Sequence, residues 1–364
     1  MSANAAARTY RAIGLMSGTS LDGADAAWIE TDGERISTFG PAVTVRYDAA
    51  LRAGLRRLLD LAPSLTADDP FLRQTEAQLT REHALAVAVL ARAADVIGFH
   101  GQTILHAPER RRSWQIGDAA LLSHIARLPV VHDFRAADIA AGGQGAPLAP
   151  LFHAALAREM EKPVLIVNIG GVANATWLGP AGEILACDTG PGNGPLDDLA
   201  QASLGQPYDK DGALAAAGRA DEARLATLLA HPFFARPAPK SLDRLSFAAP
   251  IAAATAGLSP PDAAATLTAF ICAAIAGAPW PAPPKHVLVT GGGRHNPALM
   301  AGLAARFAAP VQPVEAAGWN GDALEAQCFA YLAVRSLRGL PLSLPTTTGV
   351  PAPQTGGRLH GVIL

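Results

Sequence analysis

The sequence predicts an α/β protein of two domains. Short Val/Leu/Ile runs ending in glycine or small polar residues recur along the chain, and stretches of helical apolar spacing lie between them. At roughly 150 residues per domain, the 364 residues fill two domains, or three. Half of the residues are apolar and 16% are charged, enough for a sizeable core and against disorder across the chain.

Residues 11–16 and 24–29 are apolar runs joined by a Gly/Ser/Asp turn, the pattern of a β-hairpin. Residues 70–94 set Leu72, Leu79, Leu85, Val89 and Leu90 near helical spacing. Residues 95–99 read as a strand that stops at His100. Residues 163–169, 183–187 and 286–289 read as further buried strands, each running into small residues that expose the backbone. Residues 147–160, 194–204, 212–230, 261–277, 296–308 and 321–338 carry helical patterns, and the proline-rich stretches 278–284 and 341–353 read as loops. No repeat of 20–50 residues is visible.

Several function classes drop out. A formal charge of −2 lacks the basic excess of a nucleic-acid binder, and Arg110-Arg111-Arg112 reads as a solvated loop. No uncharged apolar run reaches the roughly 20 residues of a membrane span; residues 84–97 are broken by Arg92 and Asp95. Cys187, Cys272 and Cys328 stand alone, so neither a zinc site nor a disulfide framework is expected, and metal ligands stay unassigned. The N-terminus lacks the apolar stretch of a signal peptide, which points to the cytoplasm. An exposed apolar helix face would allow a homodimer.

The candidate chemistry sits at the strand ends. Gly18-Thr19-Ser20-Leu21-Asp22-Gly23 joins the first two strands; glycines admit an anion to the backbone N–H groups and hydroxyls add donors, though Asp-Gly also marks an ordinary hairpin turn. Asn168-Ile169-Gly170-Gly171 and Thr290-Gly291-Gly292-Gly293 repeat the pattern, which suggests a phosphate cradle closed from two sides. There is no GxxxxGK[ST], and Gly190, Gly192 and Gly194 miss the Rossmann spacing. Asp188, before Thr189-Gly190-Pro191-Gly192-Asn193, is placed to be a general base, a Mg²⁺ anchor or a helix cap. His100, Gln102, Arg135, Asp138 and Gln144, on glycine-rich segments, suit a polyol or sugar, and Arg135 could clamp a carboxylate in bidentate fashion. Glu325 lies on an otherwise apolar helix, as a site residue or a surface one.

Taken together, these residues resemble the anhydro-N-acetylmuramic acid kinase family. The matching segments are IGLMSGTSLDGAD (13–25), FHGQTILHAP (99–108), WQIGD (114–118), DFRAADIAAGGQGAPLAP (133–150), VNIGGVAN (167–174), CDTGPGN (187–193), YDKDG (208–212), VTGGGRHN (289–296) and LEAQCFAYLAVR (324–335). They run in family order through nearly the whole chain.

The resemblance implies the sugar kinase/Hsp70/actin superfamily: two ribonuclease H-like α/β domains around a nucleotide cleft, here expected at 1–135 with about 340–364, and at 136–339. It implies ATP with Mg²⁺ as cofactors and a small amino sugar as partner. It makes Gly18, Thr19, Ser20, Leu21, Asp22, Gly23, Ala24 and Asp25 a first phosphate loop. Asn168, Gly170, Gly171 and Asn174 belong to a second. Thr290, Gly291, Gly292 and Gly293 form the adenosine-side loop. Asp188 is then the catalytic base, with His100, Gln102, Arg135, Gln144 and Glu325 toward the sugar. The implied reaction turns 1,6-anhydro-N-acetylmuramic acid, ATP and water into N-acetylmuramic acid 6-phosphate and ADP, in recycling of cell-wall sugar. Many members read PKSTGRE before a phenylalanine; here the segment is Pro239-Lys240-Ser241-Leu242-Asp243-Arg244-Leu245-Ser246-Phe247. The alternatives are a kinase for another amino or anhydro sugar, and a non-catalytic ATP-binding regulator of the same fold.

Overall fold

The computed structural model describes residues 8–18, 20–242 and 244–362. Among them the strands are β1 (Tyr10–Ser17), β2 (Gly23–Thr31), β3 (Ile36–Arg46), β4 (Val96–Ala107), β5 (Arg112–Ile116), β6 (Val130–His132), β7 (Val164–Ile169), β8 (Val172–Leu178), β9 (Ile184–Pro191), β10 (His286–Thr290), β11 (Val311–Pro313) and β12 (Arg358–His360). The chain forms two compact units, Met1–Leu156 with Asp322–Leu364, and Ala157–Gly321.

The sheet of the first unit runs β12-β6-β4-β1-β2-β3, with β5 added to β4. Strands β1, β2 and β3 are antiparallel neighbours, while β4 and β6 run parallel to β1. In the second unit the order is β11-β10-β7-β8-β9. Here β7, β8 and β9 are the antiparallel set, and β10 and β11 are parallel. Both units therefore carry one plan: two hairpins, then two parallel strands laid beside the first. The α/β class expected from the sequence is what is found.

Strands β7 and β10 are nearly continuous Val/Leu/Ile, buried on both faces as a central parallel pair requires. In the second unit, helix Pro260–Ala276 starts at Ser259, whose hydroxyl accepts from the Asp262 N–H, and buries Leu267, Ile271 and Ile275 against the sheet. In the first unit, helix Pro70–Leu90 is capped by the Asp69 carboxylate, which accepts from the Phe71 and Leu72 N–H groups. Helix Leu324–Leu337 lies directly on β1, β2 and β4. Two glycines in register, Gly14 and Gly98, permit this approach. A Cβ on Gly14 would stand 1.7 Å from the Ala326 carbonyl oxygen, and one on Gly98 would stand 2.0 Å from that of Phe329. This helix packs within the first unit, whereas the expected division at about 340 put it in the second.

Several expected boundaries change. Strand β4 does not stop at His100 but runs to Ala107, because β5 pairs with residues 102–107. The helix expected over 212–230 is two helices, Ala213–Ala216 and Glu222–Leu229. Gly218 lies between them against the Pro261 carbonyl, and Asp221 caps the second. Residues 172–174, expected in a glycine loop, open β8.

Candidate active site

In the second unit four polar residues line up across the sheet. Thr290 on β10 opposes Asn168 on β7, Asn168 opposes Asn174 on β8, and Asn174 opposes Asp188 on β9. Directly opposed residues project from the same face, so the row forms one polar edge beside a core of valine and isoleucine. Asp188 is a strand residue and caps no helix; helix Gly194–Leu204 begins at Asn193. Its N–H donates to the Lys240 carbonyl at 2.9 Å, and its Oδ2 accepts the Leu242 N–H at 2.7 Å. Burial pushes its carboxyl up to about 7, against the pull of the Leu242 hydrogen bond. A carboxylate with that proton affinity accepts a proton effectively near neutral pH.

Glycine turns flank the row. The Asn193 N–H donates to the Gly170 carbonyl at 2.6 Å and the Gly192 N–H to Gly171 at 3.0 Å, which fastens the β7–β8 turn to the end of β9. Gly192 has to lack a side chain, since its Cβ would meet the Gly170 oxygen at 2.2 Å. Gly171 faces open space: a Cβ there meets nothing within 4 Å. After β10, Gly291 takes φ +75°, where a Cβ would meet Asn168 Oδ1 at 2.4 Å. Buried Arg294 holds this loop, donating from Nη1 to the Gly291 carbonyl at 3.0 Å and from Nε to Glu315 at 2.9 Å.

In the first unit the β1–β2 turn is fixed from beneath. The buried Ser17 hydroxyl donates to Gln102 Oε1 at 2.6 Å and lies 2.7 Å from the Tyr47 hydroxyl. The Leu21 N–H donates to the Gly18 carbonyl at 3.2 Å, with Leu21 left-handed at φ +58°. Asp22 pairs at the surface with Arg52, and Asp25 accepts from Thr44 Oγ1 at 2.5 Å. Gly23 and Ala24 begin β2, buried beside β3. Ser20 is exposed, and Thr19 lies outside the described residues. Burial raises the Asp25 carboxyl, and the charge of Asp322 adds to it. Glu325, on the helix that Gly14 and Gly98 admit, is raised first by desolvation and then by Asp25, while Arg135 opposes the shift.

The expected sugar-facing residues divide. Gln102 is fully buried; besides holding Ser17 it donates to the Thr103 carbonyl at 3.2 Å, so it supports the turn from within. Arg135 does not hold its fork free for a carboxylate. Its Nε and Nη2 approach His100 Nε2 at 3.1 and 2.9 Å, and its Nη1 donates to the Gly145 carbonyl at 2.7 Å. His100 Nδ1 faces the Gly101 carbonyl at 2.8 Å, which defines a neutral imidazole with the proton on Nδ1. Burial, then the Arg135 charge, holds its pKa well below 6.5. The Gln144 N–H donates to the Thr348 carbonyl at 2.7 Å, fixing that loop's backbone. A cavity of about 240 Å³ opens beside His100, lined also by Trp114, Gln115, His132 and Asp133.

Sequence reasoning missed Tyr47, and it marked the segment carrying Lys240 and Leu242 only as a departure from the family pattern. Leu242 acts through its backbone N–H, for which the side chain gives no sign.

Each half thus pairs a sheet of one order with glycine turns at its strand ends, the layout of a duplicated α/β protein. The profile of anhydro-N-acetylmuramic acid kinase matches residues 10–360. A protein of that name from Acidiphilium cryptum (strain JF-5) is 70% identical over 348 residues, covering 96% of this chain and 97% of its own. One from Gluconobacter oxydans (strain 621H) is 56% identical, covering 95% and 99%. Among solved structures, the activator of 2-hydroxyisocaproyl-CoA dehydratase from Clostridium difficile is similar over 90% of this chain and 97% of its own, at 12% identity and a TM-score of 0.43. The chain belongs to the anhydro-N-acetylmuramic acid kinase family.

Proposed function

We infer that the protein is an ATP-dependent kinase that hydrolyses the 1,6-anhydro bridge of 1,6-anhydro-N-acetylmuramic acid and phosphorylates O6. The products are N-acetylmuramic acid 6-phosphate and ADP, in recycling of cell-wall sugar. Family membership carries the kinase activity and its sugar substrate. The observation that carries the mechanism is Asp188, a carboxylate on a strand edge whose burial raises its pKa to about 7.

In the anhydro sugar O6 is bonded to C1, so there is no 6-hydroxyl to deprotonate. Asp188 takes a proton from a water molecule as the water oxygen bonds to C1. The C1–O6 bond breaks with its electron pair on O6. O6 then bonds to the γ-phosphorus, the bond to the β-phosphate oxygen breaks, and ADP leaves. The base contributes on the order of 10²–10⁴ in rate. Backbone N–H groups of the glycine turns at Gly171 and 291–293 would supply fixed dipoles for the phosphates.

Mg²⁺ fits the carboxylates available. Among the described residues no three His, Cys, Asp or Glu side chains gather to hold a metal. Mg²⁺ accompanying ATP needs only one or two carboxylates beside phosphate and water. Asp25 and Glu325, close enough for the charge of Asp25 to raise Glu325, would be the candidates to hold it. When bound, Mg²⁺ would offset phosphate charge. The cytoplasm, where ATP is available, is the proposed location; among the described residues no helix is long and apolar enough to cross a membrane.

The test is ADP release with ATP, Mg²⁺ and the anhydro sugar, with N-acetylmuramic acid and N-acetylglucosamine as controls. Turnover with the anhydro sugar that falls on the order of 10²–10⁴-fold in Asp188→Asn is expected. Turnover only with a control sugar would overturn the hydrolytic role of Asp188.

A further inference from the structure

Lys240 is buried, and among the described residues its ammonium is held by carbonyls and a ring face. Nζ donates to the Phe233 carbonyl at 3.0 Å and the Phe234 carbonyl at 3.4 Å, and stands 4.5 Å from the Phe233 ring centroid. Burying a cation is unfavourable in itself, and desolvation lowers its pKa. Such a group persists where it fixes something else.

What it fixes is visible in its neighbours. The two carbonyls belong to the short 3₁₀ turn Pro232–Ala235. Phe233 and Phe234 pack against Phe247, and Phe234 also meets Phe270 edge-on at 5.8 Å. Leu242 packs on the same cluster. Between these two anchors the backbone at 240 and 242 faces β9. The Lys240 carbonyl accepts the Asp188 N–H, and the Leu242 N–H donates to Asp188 Oδ2. The ammonium therefore ties the aromatic cluster to the backbone groups that grip Asp188.

We propose that Lys240 is a positioning residue for Asp188: its buried ammonium anchors the segment whose Leu242 N–H orients the carboxylate and stabilises its ionised form. The proposal rests on Asp188 being the base. Among the described residues, Cys187 beside Asp188 feels the charges of both Lys240 and Asp188. The Cys187 thiol, pushed up to about 12, stays neutral through the working range. Thr290, Asn168 and Asn174 in the row carry no charge.

The experiment compares Lys240→Met, which keeps the chain's bulk and loses the donor, with the parent and with Asp188→Asn. The Asp188 carboxyl pKa is read by ¹³C NMR, its resonance identified by its absence in Asp188→Asn, and kcat and KM are followed against pH. Losing the Leu242 hydrogen bond removes support for the ionised form. The pKa and the acid limb of kcat are then expected to rise by about one pH unit, with KM for the sugar little changed. A folded Lys240→Met protein with the parent's Asp188 pKa and kcat profile would overturn the proposal. Should Lys240→Met not fold, Lys240→Gln carries the test. Its amide is one atom short of the two carbonyls, so a smaller rise is expected, and a parental pKa and profile would again overturn it. A fully active Asp188→Asn protein would instead refute the base assignment, whatever the Lys240 variants show.

Discussion

Replacing Asp188 by Asn is expected to slow turnover sharply and make the protein more stable. The carboxyl's usual value of 3.8 is raised to about 7 in the folded protein. The folded state therefore holds this proton more tightly than the unfolded chain. Below pH 4 the group is protonated in both states and has no effect. As pH rises from about 4 to about 7 stability is lost, and above pH 7 the loss is constant. At 1.36 kcal/mol for each pH unit, the gap amounts to at most about 4 kcal/mol at pH 8. Asparagine keeps the shape and still accepts the Leu242 N–H through its amide oxygen, but it cannot ionise. For a domain the size of the second unit, roughly 2–4 °C accompanies each kcal/mol, so the variant's Tm should exceed the parent's by up to roughly 10 °C at pH 8. The excess should vanish near pH 4. The assay is thermal unfolding of both proteins from pH 4 to pH 8, alongside turnover, which should fall on the order of 10²–10⁴-fold. A Tm difference that does not vary with pH would refute the reasoning, because an isosteric packing change has no proton linkage.

Other perturbations probe other parts. Gly14→Ala drives a methyl into the Ala326 carbonyl and should lower stability by about 1–3 kcal/mol in urea unfolding; an unchanged midpoint would contradict the close helix–sheet approach. His100, held neutral, should show no NMR titration near pH 6.5; Arg135→Met should move its pKa upward while burial keeps it below 6.5. Gly171→Ala should keep the parent's Tm, since its Cβ meets nothing within 4 Å, yet raise KM for ATP several-fold. An unchanged KM would mean that phosphate does not rest on that face.

What the sequence disclosed and what it concealed have physical causes. Val164–Ile169 and His286–Thr290 are buried on both faces, so a plain apolar run marks them. Helix Gly194–Leu204 has an unambiguous start at Asn193-Gly194-Pro195 and stop at Gly205, and its expected limits match. Strand β8 was hidden because Gly170-Gly171 and Asn174 resemble a loop, although only the glycines turn and Asn174 already lies in the ladder. Residues 100–107 were hidden likewise: His-Gly-Gln suggests a loop until β5 takes up its hydrogen bonds. The duplicated plan has no sequence repeat behind it because it lies in strand order and direction, which many apolar sequences satisfy. For the site, residue type pointed to Asp188 and the glycine turns, but not to partners. Arg135 suggests an anion clamp, and only the fold shows it holding His100.

The central claim is that one active site couples water attack at C1 to phosphorylation at O6. It is tested most directly by running the reaction in ¹⁸O-labelled water and locating the label in the sugar 6-phosphate. The account predicts one labelled oxygen at C1 and none in the phosphate bridge. Label in the transferred phosphate, or phosphorylated sugar without label at C1, would contradict it.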